Sequence, residues 1–133
     1  HAYVRRQRQM CIRDRSEALI QKGDYNKAEI VLDKCVEIMP HKAIPFNYFN
    51  LPVAEGYYKI GKMEKASEVV NILIDTYFDE LDYYNSIDEK LLNKMQRDFQ
   101  IANQIISSMY NLTINYNDEK SQKKIVDLYE RYQ

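Results

Sequence analysis

Few side chains in this sequence have the type and spacing that a reaction needs. Nucleophilic catalysis requires a base beside the nucleophile, and after His1 the chain has one histidine, His41, between Pro40 and Pro45, with no GxSxG or Cys/His pattern around it. That setting reads as a solvated loop histidine. Cys35 falls on the apolar stripe of a helix, where a thiol serves as a small core side chain, and Cys11 and Cys35 match no CxxC or metal-ligand spacing. Asp79, Glu80 and Asp82 cluster, but the glycine and spacing of a calcium loop are missing, so they read as a solvated acidic helix end. Three glycines in the whole chain are too few for a phosphate-cradling loop. Asn111-Leu112-Thr113 is formally a glycosylation sequon, read here as chance on a helix face. No catalytic residue, cofactor or metal is therefore expected, and this chain is not expected to be an enzyme.

The elements around these residues should be helical. A chain of 133 residues suits one domain with a modest core. Apolar residues at 45%, charged residues at 29% and only three glycines and three prolines argue against disorder and against a turn-rich β fold. No apolar run approaches the roughly 18 residues that cross a bilayer, so the piece is expected to be soluble and not to insert into a membrane.

Residues 5–14, Arg-Arg-Gln-Arg-Gln-Met-Cys-Ile-Arg-Asp, match one reading frame of a common transposase-based sequencing adaptor residue for residue. Residues 1–15 are accordingly expected to be a non-native leader, with the native reading beginning near Ser16 and the natural protein extending upstream. The competing reading is a basic arm for nucleic acid or anionic lipid. Without the leader, Lys plus Arg falls from 19 to 14 and Asp plus Glu from 20 to 19, so the net charge moves from −1 to −5. Such a body lacks the basic face that nucleic-acid binding demands, and no nucleic-acid partner is expected.

Gly23-Asp24-Tyr25 is followed by Ala28, Val31, Leu32, Cys35, Val36 and Met39, and Gly61-Lys62-Met63 by Ala66, Val69, Val70, Leu73 and Tyr77, running on to Leu81. Both sets lie on one helical face. Gly23 to Gly61 and Ala28 to Ala66 are each 38 residues apart, an internal repeat. The pattern resembles a tetratricopeptide repeat, whose period is about 34 residues, with the excess assigned to the proline-flanked 40–45 connection. Ala54 and Tyr57 take the small and aromatic positions on the first helix of the second pair, and Ser16 and Leu19 would do so in a first pair cut short. The Pro52 ring is tolerated if that helix starts near Asn50.

Ser86-Ile87-Asp88-Glu89 reads as a capping box. It should open the longest helix, carrying Leu91, Leu92, Met95, Phe99, Ala102, Ile105, Ile106 and Met109 to about Tyr116. Asn117-Asp118 supplies a turn and a cap before a last helix with Ile125, Leu128, Tyr129 and Tyr132 on one face. The expected fold is thus all-α, with about one and a half tetratricopeptide-like antiparallel helix pairs followed by a C-terminal helical hairpin, over residues 16–133. Twelve tyrosines and no tryptophan suit packing seams or contact surfaces. If the repeat alignment holds, Tyr48, Glu55, Tyr58 and Lys59 face the concave side, where such repeats hold peptides.

Leu32-Asp33-Lys34-Cys35, residues 45–61 (PFNYFNLPVAEGYYKIG) and Glu80-Leu81-Asp82-Tyr83-Tyr84 carry a further likeness. On them the body resembles the C-terminal region of a family of multi-pass membrane proteins of Gram-negative bacteria described as protein O-mannosyltransferase-like. The resemblance implies a membrane glycosyltransferase-type domain first and a helical repeat domain last, with the parent in the bacterial inner membrane and this part periplasmic. None of that enzyme's catalytic residues falls on this chain. The implied function is a non-catalytic interaction domain whose partner is a protein, a peptide or the parent's own membrane domain. The alternative is a free-standing soluble tetratricopeptide adaptor that binds a peptide on its concave face.

Overall fold

The computed structural model describes residues 14–38 and 51–132. Residues 1–13 with Cys11, Met39, the 40–45 connection with His41, and Tyr48 lie outside the described residues. Within them every regular element is helical and no strand occurs. In chain order these are α1 at 14–21, α2 (Tyr25–Ile38), α3 (Leu51–Lys59), α4 (Met63–Ser86), α5 (Glu89–Lys94), α6 (Gln96–Asn115) and α7 (Glu119–Tyr129), followed by a 3-10 turn at Glu130–Tyr132. The chain divides into two compact units, His1–Val69 and Val70–Gln133.

In the first unit the two glycines make the same turn. Gly23 has φ 81° and Gly61 φ 80°. The Asp24 amide donates to the Leu19 carbonyl at 3.0 Å and the Gly23 amide to Ile20 at 3.0 Å, while Lys62 donates to Tyr57 at 2.9 Å and Gly61 to Tyr58 at 3.1 Å. This paired closure satisfies carbonyls that a helix end leaves open, with its left-handed residue at glycine. A Cβ at either position would meet nothing within 4 Å, so backbone conformation alone asks for glycine there. Asp24 then caps α2, its carboxylate accepting from the Lys27 amide at 3.3 Å.

Beyond each turn the apolar stripe goes inward: Ala28 and Ala66 are both 0% exposed, and Leu32, Cys35 and Val69 are buried with them. From α3, Val53, Ala54, Gly56, Tyr57 and Tyr58 are buried, and α2 packs on this helix. A Cβ at Gly56 would lie 3.0 and 3.1 Å from the two Leu32 methyl carbons, so the absent side chain sets the spacing of the two helices. Covering Leu32 in this way contributes about 1.5–3 kcal/mol. Pro52 is the second residue of α3 as described, where its missing amide breaks no hydrogen bond of the helix.

The second unit departs from expectation after α4. Ser86 does not open a helix: it ends α4, its hydroxyl donating to the Tyr83 carbonyl at 2.7 Å. Asp88 is the cap instead, extended at φ −72° and ψ 161°, its carboxylate accepting from the Leu91 amide at 2.7 Å. The serine hydroxyl is occupied by its own helix, and the carboxylate two residues on is the stronger acceptor. Nor is the next helix continuous or the longest. It breaks at Met95 (φ −105°, ψ 17°), whose amide is shared between the Leu91 and Leu92 carbonyls, and α4 with 24 residues exceeds α6 with 20. No residue of α5 is buried and Leu91 is 40% exposed, so tertiary packing does not hold this stretch in line with α6.

From α6 onward the stripe is seated, with Ala102, Ile105, Ile106, Met109 and Leu112 buried beside Ile125 of α7. Asn117 makes the turn at φ 58°, with the Asp118 amide on the Thr113 carbonyl at 2.9 Å and its own on Ile114 at 3.2 Å. Asp118 caps α7 through the Ser121 amide at 3.3 Å.

Candidate functional site

Of the four residues placed on the expected concave face, Tyr48 lies outside the described residues. Glu55 and Lys59, one helical turn apart on α3, are both partly exposed and ion-paired at 3.7 Å. Lys59 also lines a cleft of about 130 Å³ with Glu17, Ile20 and Gln21 of α1. Tyr58 turns the other way and is only 5% exposed.

The most connected polar group in the first unit is one that no motif announced. The Tyr57 hydroxyl donates to Asp33 at 2.6 Å, and the Lys65 ammonium donates to both oxygens of the same carboxylate at 3.1 and 3.0 Å. Lys65 also meets Glu29 at 3.1 Å, and Lys62 approaches Glu29 at 3.7 Å. Asp33 belongs to α2, Tyr57 to α3 and Lys65 to α4, so three helices share one carboxylate. Burial first, and then the hydrogen bond to Asp33, push the Tyr57 phenol well above its ordinary value. The hydrogen bonds to Asp33 and then Glu29 raise Lys65. Both groups thus hold their protons across the neutral range, which suits a fastening and gives neither a base nor a nucleophile. The adjoining space between Asp33, Val36, Tyr57, Lys65, Glu68 and Val69 is about 150 Å³, room for a few waters. Glu29 and Asp33 sit four residues apart on one face of α2, like charges that repel unless cations stand opposite, and that spacing was the available signal.

In the second unit a groove of about 590 Å³ lies between α6 and α7. Ile106, Ser107, Tyr110 and Asn111 form one side, and Ile125, Val126, Tyr129 and Glu130 the other. Ile106 and Ile125 are buried floor, whereas Val126 is 37% and Tyr129 39% exposed. The Tyr129 ring stands edge-on to Phe78 at 6.3 Å, and its hydroxyl reaches the Asn103 side chain at 3.4 Å. Lys124 fixes α7 to the Val70–Ser86 part of α4 through Asp75 at 2.9 Å and Asn71 at 3.1 Å.

Cys35 is a buried thiol. Thr113 of the formal sequon is 0% exposed and donates to the Tyr110 carbonyl at 2.7 Å. Among the described residues no three His, Cys, Asp or Glu side chains are gathered so as to hold a metal ion. Asp79 and Asp82 are exposed, and Glu80 is half-buried, its carboxyl raised by burial first and by the charge of Asp98 second.

No family model, no curated protein and no solved structure matches this chain.

Proposed function

We propose that this chain is a non-catalytic helical-repeat interaction domain of tetratricopeptide-like build, the C-terminal part of a membrane protein of the protein O-mannosyltransferase-like family. The observation that supports it most is the duplicated turn: Gly23 and Gly61 share a left-handed conformation and hydrogen-bond pattern, and the alanine five residues after each is sealed at 0% exposure. Units of this kind bury their apolar faces on their neighbours and leave an extended surface for contact. The paired, partly exposed Glu55 and Lys59 on α3 fit that use, with a protein segment, a peptide or the parent's own membrane domain as the partner.

Among the described residues no helix is long and apolar enough to cross a membrane. On this reading the sugar-transfer chemistry of the parent belongs to upstream segments, and this part docks. The test is to recover the coding sequence ahead of Ser16 from the source genome. Apolar runs of about 20 residues are expected there. A reading frame without them removes the membrane parent and leaves the free-standing adaptor with a peptide on its concave face. Turnover of a sugar donor by the purified chain alone would remove both.

A further inference from the structure

We propose that the groove between α6 and α7 is a docking site for a short peptide segment in which a lysine or arginine sits beside large apolar side chains. The inference rests on the reading of the chain as an interaction domain and assigns it a surface on the second unit, apart from Glu55 and Lys59.

The volume, about 590 Å³, falls within the roughly 300–1,000 Å³ of clefts that hold ligands. Its floor of Ile106 and Ile125 is closed by the core beneath, but Val126 and Tyr129 keep more than a third of their surface open to solvent. Apolar side chains on an occupant would complete that cover. Along the α6 edge Ser107 and Asn111 are one helical turn apart. A hydroxyl and an amide about 6 Å apart suit alternate peptide units of an extended segment. Glu130 lies where α7 gives way to the 3-10 turn and is the one charged side chain lining the groove among the described residues. The Tyr110 and Tyr129 rings line the same groove and favour a cation over their faces. Residues 96–132, which form the groove, carry five Lys and Arg against five Asp and Glu, so the preference for a cation is local to Glu130 and the two rings.

The experiment uses the full chain and three fluorescein-labelled peptides followed by anisotropy: Gly-Leu-Lys-Phe-Arg-Leu, its acidic counterpart Gly-Leu-Glu-Phe-Glu-Leu, and the cationic but polar Gly-Ser-Lys-Ser-Arg-Ser. The first should bind at least about tenfold more tightly than either of the others, the ratio expected from one charge-assisted contact or from covering one apolar side chain. Glu130→Gln should weaken it about three- to tenfold and flatten its salt dependence. Val126→Ser should weaken it similarly, and Lys90→Ala, on exposed α5 away from the groove, should leave it unchanged. All three positions are on the surface, and thermal melts followed by circular dichroism establish that each variant is folded. Amide shifts on peptide addition should cluster on α6 and α7. Equal affinity for the acidic peptide, no saturable binding, or indifference to both Glu130→Gln and Val126→Ser overturns the proposal. Shifts confined to the surroundings of Glu55 and Lys59 overturn the groove while leaving the interaction reading intact. Displacement of the peptide by 4-phenylbutylamine at a comparable concentration reassigns the site to a small organic cation, and self-association abolished by Val126→Ser reassigns it to a second copy.

Discussion

The two units are held together by different physics. In the first, one carboxylate gathers Tyr57 and Lys65, so α2, α3 and α4 are joined by charge-assisted hydrogen bonds beside a stripe of small and branched residues. In the second, aromatic rings share that work with the Lys124 cation on Asp75: Tyr84 stands edge-on to Phe99 at 5.7 Å and Phe78 to Tyr129 at 6.3 Å. The polar fastening fixes direction, and beside it the missing side chain of Gly56 lets α3 sit close on Leu32. The ring pairs join α4 to α6 and to α7, and the groove lies between α6 and α7 in the same unit. The same contrast recurs in the turns, glycine at φ 80° and 81° in the first unit and asparagine at φ 58° in the second.

The turns offer the largest way to break that contrast. Valine at Gly61 would have to adopt φ near 80° with a branched Cβ, at a cost of about 1–3 kcal/mol. Space is not the obstacle, because nothing lies within 4 Å of a Cβ there. Asn117→Gly, by contrast, should be neutral or stabilising by up to about 0.5 kcal/mol, since asparagine already bears a residual penalty at φ 58°. Thermal melts of Gly61→Val and Asn117→Gly check both signs. Equal losses in the two variants would show that the asparagine side chain holds its turn by contacts that glycine lacks.

These turns were also the most legible feature of the sequence. Gly23 and Gly61 each precede an alanine by five residues, and a 3.6-residue period then fixes which side chains go inward, so Ala28, Leu32, Ala66, Val70 and Leu73 could be placed in the core without coordinates. The break at Met95 was not legible, because the apolar spacing runs straight through it and periodicity does not register whether a stripe has anything to pack on. For the same reason Tyr129 belonged to the stripe on paper, although in the structure 39% of it faces solvent at the groove. Of the four residues expected on the concave face, Glu55 and Lys59 are partly exposed on α3, whereas Tyr58 is inside. The Asp33 cluster depends on three helices meeting, which a linear text expresses only as the like-charged pair Glu29 and Asp33.

Alkaline pH should separate the units next. The folded-state pKa of Tyr57 is raised by burial and by its bond to Asp33, so its contribution is complete below the unfolded value of about 10 and is lost as pH climbs toward the folded one. Lys65, raised by Asp33 and Glu29, works in the same direction. Amide hydrogen exchange should show protection of α2 and α3 falling above pH 10 before that of α6. Tyr57→Phe should cost about 1 kcal/mol at neutral pH and make the alkaline fall shallower. Protection lost evenly along the chain would mean that the carboxylate fastening is not what distinguishes the first unit.

The smallest effect is expected at Glu80, where the second unit carries a charge it does not favour. Burial and the nearby Asp98 raise this carboxyl above the ordinary value, so the stabilising form is the protonated one. Its contribution is complete below the unfolded value of about 4.3 and disappears as pH rises through the folded value, which leaves neutral pH on the unfavourable side. Glu80→Gln keeps the shape and removes the charge. It should therefore raise the melting temperature slightly at pH 7 and leave it unchanged well below pH 4, where both forms are neutral. The same substitution should bring the Tyr84 phenol, raised by burial and then by Glu80 and Asp98, back toward its usual range. A rise in melting temperature that persists at low pH would instead mean that the amide packs better than the acid, and that charge at this end of α4 is immaterial to the second unit.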